Sequence, residues 1–175
     1  TNLYGPNDNF DLEKSHVLPA LIRKIYLGRC LELGDWDAIR LDFQKNPVQD
    51  FNINFSKEKI EKTLFNYGIT KKQIEIWGSG RPMREFLWSE DMADACVFIL
   101  EKVSFKDTYD LNSNITQNTH INIGTGKDIS IKDLAYLIKS IIGYEGDFFF
   151  DKTKPDGTMK KLTDVSKLHS IGWKN

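Results

Sequence analysis

Trp77-Gly78-Ser79-Gly80-Arg81-Pro82-Met83-Arg84-Glu85-Phe86 is the stretch whose reading decides the fold. Before it, Ile74-Glu75-Ile76-Trp77 alternates in the manner of a strand, and after it Arg84 to Trp88 reads as a second short strand. Between them Gly78 to Pro82 is dense in turn formers. Downstream, Ser89 is placed to cap a helix through Met92, Ala95, Cys96, Ile99 and Leu100. Strand, turn, strand and helix in this order predict a mixed α/β chain.

The remainder extends the same pattern. Residues 1–14 predict a loop, because Gly5-Pro6-Asn7-Asp8-Asn9 concentrates turn residues. A helix is expected from Ser15 as N-cap, with Pro19 tolerable in its first turn and Gly28 loosening its end. Within 31–72, Trp36, Ile39 and Phe43 predict one short amphipathic helix. Ile60, Leu64 and Tyr67 predict another, opened by Ser56 and closed by Gly68. A polar loop is expected from Ser113 to Asn118, then a strand at His120-Ile121-Asn122-Ile123 entering Gly124-Thr125-Gly126. A helix from Ser130 to Gly143, a strand at Phe148-Phe149-Phe150, a turn at Lys154-Pro155-Asp156-Gly157 and a helix from Asp164 to Ile171 complete the chain. The strands are too few for a complete doubly wound sheet.

Composition narrows the function. At 175 residues one domain is expected, burying about 70% of the unfolded chain's surface. A net charge of -1 with interspersed signs argues against a nucleic-acid surface or a polybasic membrane anchor. No apolar run nears the ~20 residues that span a bilayer, and no signal-peptide pattern opens the chain. A cytoplasmic location is expected, and the sequons at Asn54 and Asn114 then carry no meaning. Cys30 and Cys96 fall inside predicted helices and are expected to be buried free thiols. His16, His120 and His169 are far apart, without metal-ligand spacing, so no metal site is expected.

Several segments together resemble the GDP-L-fucose synthase family of extended short-chain dehydrogenases/reductases. They are Thr1-Asn2-Leu3-Tyr4-Gly5-Pro6, Asp8-Asn9-Phe10, Ser15 to Leu21, Trp77 to Phe86, Asp91-Met92-Ala93, Ile121 to Gly126, and Lys154 to Thr158 running into Lys161-Leu162. The resemblance implies an NADPH-dependent epimerase/reductase that inverts C3 and C5 of GDP-4-keto-6-deoxy-D-mannose and reduces C4. It also implies a homodimer. Yet no Gly-x-Gly-x-x-Gly or Gly-x-x-Gly-x-x-Gly turn is present to seat a dinucleotide. The chain therefore reads as the C-terminal, substrate-binding portion of such an enzyme, with the Rossmann core largely absent, and its lack of an initiator Met fits a processed or truncated product. Residues 31–72 depart from the compact family pattern and read as a helical insertion. The alternatives are the substrate domain of a sibling nucleotide-sugar epimerase or dehydratase, and a non-catalytic binding or assembly module.

Roles follow residue by residue from that resemblance. Proton exchange beside a ketone needs an acid/base group that works near neutral pH, and His16 matches the family's active-site histidine. His16 is also expected near the cofactor, with Thr1, Asn2 and Leu3. Arg84 offers a fixed fork of donors to a diphosphate. Lys24 lies eight residues after His16, just over two helical turns, and matches a substrate-contacting position. Trp77 is expected against the sugar nucleotide, and Asp156 and, less directly, Lys161 against ribose or base. Two look-alikes are set aside. Tyr67 and Lys71 have the Tyr-x-x-x-Lys spacing of the superfamily's catalytic pair, but they fall after the Thr1–Pro6 segment rather than before it. Gly124-Thr125-Gly126-Lys127 lacks the first Gly and the final Ser or Thr of a phosphate loop.

Overall fold

The computed structural model describes residues 1–109, 112 and 115–174, and these divide into two compact units. The first comprises residues 1–6, 83–129 and 160–175; the second comprises residues 7–82 and 130–159.

The first unit is built on a short sheet. Strand β1 (Asn2–Tyr4) pairs in parallel with β3 (Met83–Trp88), setting Asn2 against Phe86, Leu3 against Leu87 and Tyr4 against Trp88. Strand β4 (Asp128–Ser130) flanks β3, and β6 (Lys160–Lys161) pairs with it in parallel, Met83 opposite Lys160 and Arg84 opposite Lys161. Helix α4 (Ser89–Lys102) and helix α6 (Ser166–Ile171) close the core, where Ala95, Leu168 and Trp173 are packed by Phe98, Ile99, Ile121 and Ile123. The Trp173 indole N–H donates to Asp94 Oδ2 at 2.8 Å, so its polar edge is satisfied.

The second unit is mostly helical. Helix α1 (Val17–Leu33) packs on α5 (Ile131–Ile142) and α2 (Trp36–Lys45), and α3 (Lys57–Asn66) follows. Strand β2 (Gln73–Trp77) pairs in parallel with β5 (Asp147–Asp151) along its whole length. Ile39, Phe43, Ile60 and Leu64 of α2 and α3 are fully buried, together with Ile25, Leu27 and Ile74. The helical segment within 31–72 thus carries part of this unit's core. Ser56 caps α3 through a bond from Lys59 N–H, and Ser130 caps α5 through Asp133 N–H.

Several expectations change. β1 forms where a loop is predicted, its three residues held by the β3 ladder. Among the described residues the predicted strand at 120–123 has no ladder, although Ile121 and Ile123 pack against the core. The strand–turn–strand order around Gly78–Pro82 stands as expected, β2 joining β5 and β3 joining β1. Helix α1 is capped at His16 rather than Ser15. It also runs past Gly28, where Ile74 and the Tyr144 ring approach so closely that a Cβ would crowd both. Cys30 is buried as expected, but Cys96 is exposed. Of the polar loop predicted from Ser113, residues 113 and 114 lie outside the described residues. Among the described residues no helix is long and apolar enough to cross a membrane.

Candidate functional site

In the second unit the turn after β2 is held from both sides. Gly78 N–H donates to Asp151 O at 2.9 Å. Ser79 N–H donates to Asp156 Oδ1 at 2.5 Å, and the Ser79 hydroxyl donates to Asp156 Oδ2 at 2.8 Å. Gly78 has φ +83°, and a Cβ there would strike Asp156 Oδ1, so only glycine admits this approach. The carbonyls of Gly80 and Pro82 accept from Lys132 N–H and Ile131 N–H, tying the turn to the start of α5. The Ser79 bonds, backbone first, hold the Asp156 carboxyl below the usual carboxylate range. Trp77, at the end of β2, is 62% exposed, and Lys154 Nζ stands 5.2 Å from its ring centroid.

His16 is exposed at the N-cap of α1, and its side chain makes no capping bond. The ring is therefore not spent on the helix end. Its approach segment is anchored by Arg23, which is 3% exposed: Nη1 donates to Phe10 O, Nη2 to Asn46 O, and Nε to Asp42 Oδ2 at 2.9 Å. Lys24 is half-buried, with Nζ donating to Glu75 O at 3.2 Å on β2. Burial pushes its ammonium pKa down, and the Glu75 charge opposes that only in part. It is not the solvated lysine of an ordinary helix surface.

In the first unit, the β3–β6 register sets the half-buried Arg84 opposite the exposed Lys161. Two cations on adjacent strands suit an anion with more than one oxygen. Arg84 Nη1 also donates to Met83 O at 2.7 Å. Asn2 is turned to the sheet, its amide donating to Glu85 O at 2.9 Å, while Thr1 and Leu3 are exposed beside it.

Sequence reasoning passed over Glu85. Its side chain is fully buried, and Oε1 accepts from Gly126 N–H at 2.6 Å and from the Thr125 hydroxyl at 3.3 Å. Burial pushes its pKa up, but the bonds from Thr163 and Gly126 outweigh this and leave it below the ordinary value. Gly124 must lack a Cβ because the carboxylate lies against it. The Gly-Thr-Gly turn is thus wrapped around an internal carboxylate and cradles no phosphate. A glutamate after an arginine on a predicted strand was the available signal.

The Tyr67–Lys71 pair is equally engaged elsewhere. Tyr67 ends α3, and Lys71 pairs with Glu61 at 2.9 Å and lies over Trp36. Among the described residues no cluster of three His, Cys, Asp or Glu side chains is arranged to hold a metal ion. The turn that most resembles a phosphate cradle is filled by Glu85 and does not fit a pyrophosphate.

Comparison with known proteins agrees with this architecture. Residues 52–124 match the NAD dependent epimerase/dehydratase family. GDP-L-fucose synthase 1 of Arabidopsis thaliana is 39% identical over 173 residues, 99% of this chain and 38% of that protein. The structure of MlghC, a GDP-mannoheptose C4 reductase from Campylobacter jejuni with NADP bound, is 43% identical with a TM-score of 0.81, covering 99% of this chain and 46% of that one. A GDP-L-fucose synthetase from Naegleria fowleri is 25% identical with a TM-score of 0.61, covering 98% of this chain and 37% of that one. The fold is that of nucleotide-sugar epimerases and reductases. Across almost its whole length the chain is a homologue of the GDP-L-fucose synthases, and it spans about 40% of the length of the curated relatives it matches.

Proposed function

We propose that this chain is the nucleotide-sugar-binding portion of an NADP-dependent epimerase/reductase acting on a GDP-4-keto sugar. The observation that carries the reading is the homology over 99% of the chain to GDP-L-fucose synthases. It is supported, within each unit taken by itself, by the surroundings of the residues concerned. The hydrogens on C3 and C5 flank the C4 ketone, so each can leave to an enolate and return on the other face. The exposed His16, unused by its helix, is the group assigned to move those protons. Arg84 and Lys161 are assigned to the diphosphate, Trp77 and Lys24 to the sugar nucleotide, and Asn2 to the cofactor side. The dinucleotide cradle and the remaining catalytic groups belong to sequence beyond this chain, and the whole protein is proposed to be a cytoplasmic homodimer.

A second reading concerns the sugar. The Campylobacter heptose reductase is more similar in both sequence and shape than the Naegleria fucose synthetase. This favours a GDP-4-keto-heptose over GDP-4-keto-6-deoxymannose, with reduction at C4 in either case. Offering both ketones to the protein extended to its full length, and following NADPH, separates the two. Faster oxidation with the heptose selects the sibling enzyme, and faster oxidation with the deoxymannose selects the fucose synthase. The isolated 175 residues are expected to oxidise no NADPH with either ketone.

A further inference from the structure

We infer that Ser79 is a positioning residue whose N–H and hydroxyl grip Asp156 and thereby hold the Lys154–Gly157 turn beside the exposed indole of Trp77. This rests on the reading of Trp77 as a nucleotide-sugar contact.

The geometry is particular. Ser79 and Asp156 are 77 positions apart, and both carboxylate oxygens are engaged by one residue, through its backbone at 2.5 Å and its hydroxyl at 2.8 Å. Two charge-assisted bonds in a fork fix both the direction and the distance of the partner. The Ser79 oxygen in turn accepts from Arg81 Nε at 3.1 Å and from Arg81 N–H at 3.2 Å, which turns its own proton towards Asp156. Gly78 removes the Cβ that would keep the two apart. Two residues before Asp156, Lys154 stands over the Trp77 ring. The latch thus sets one wall of the indole face, and the Asp156 carboxylate is committed to the protein rather than aimed at a ribose.

Titration of GDP into the 175-residue chain by calorimetry, with S79A, D156N and the double variant, tests this. The latch predicts that D156N, which takes the charge from both bonds, weakens GDP roughly tenfold, that S79A, which removes the hydroxyl bond and keeps the backbone one, weakens it measurably but less, and that the double variant is no worse than D156N. If D156N weakens GDP while S79A leaves it unchanged, Asp156 is a direct ligand and the latch is overturned. Amide hydrogen exchange at Ser79 reads the latch without a ligand. Slow exchange in the parent chain that speeds up in D156N supports it, and fast exchange in the parent chain overturns it. Absence of GDP binding by a chain with a protected Ser79 amide would instead refute the nucleotide reading and leave the latch standing.

Discussion

His16 and Asp156 show how position decides what a side chain is available to do. An exposed imidazole that leaves its helix end uncapped contributes little to folding, so His16→Ala should shift stability by no more than about 0.5 kcal/mol in a thermal melt. In the full-length protein the same change should slow formation of epimerised product by about 10²- to 10⁴-fold, the range for a lost acid/base group. Asp156 carries a pH signature. Its carboxyl is held below the ordinary value of ~3.9 by Ser79. The stability it adds is therefore fully present above that value and is lost as pH falls through the lower, folded-state pKa. The Ser79 amide resonance, followed by NMR in an acid titration, should move with a midpoint below that of a free aspartate and should stay still in D156N. The His16 role was read from the chain, but the Ser79–Asp156 pairing was not. Pro-Asp-Gly announces a turn, but nothing near Asp156 names Ser79 as its partner.

At the scale of elements, the ties that hold the loops are buried polar groups. Arg23 joins α1 to the Asp42 carboxylate of α2 and to two loop carbonyls, all from a side chain out of water. Arg23→Ala should cost about 3–5 kcal/mol in chemical denaturation, because Asp42 would be left without its partner. Gly124→Ala should also destabilise, by about 1–3 kcal/mol, since the added Cβ meets a Glu85 carboxylate that Gly126 and Thr125 hold in place. Helices with strong punctuation were readable in advance: Ser56 and Gly68 around α3, and Ser130 and Gly143 around α5, stand where the chain puts them. β1 was not readable, because three residues among turn formers show no period and their strand state comes from the β3 ladder. The stretch 120–123 misled for the opposite reason. Ile121 and Ile123 alternate inward to reach Leu168 and Trp173, which imitates a strand without its hydrogen bonds.

For the whole molecule, each candidate residue is placed within its own unit. Arg84, Lys161 and Asn2 belong to the first, and His16, Lys24, Trp77 and Asp156 to the second. The reading was legible because short, unusual segments recur in order along the chain, not because any one of them is decisive. Composition contributed only exclusions. The identity of the sugar was not legible, since relatives named for fucose and for heptose both match almost the whole chain. The central claim is tested most directly by NADPH oxidation with GDP-4-keto-6-deoxymannose and a GDP-4-keto-heptose, using the protein extended to its full length. Oxidation with at least one of them, with the epimerised product lost in His16→Ala, is the predicted result. A folded, full-length protein that oxidises NADPH with neither ketone would contradict it.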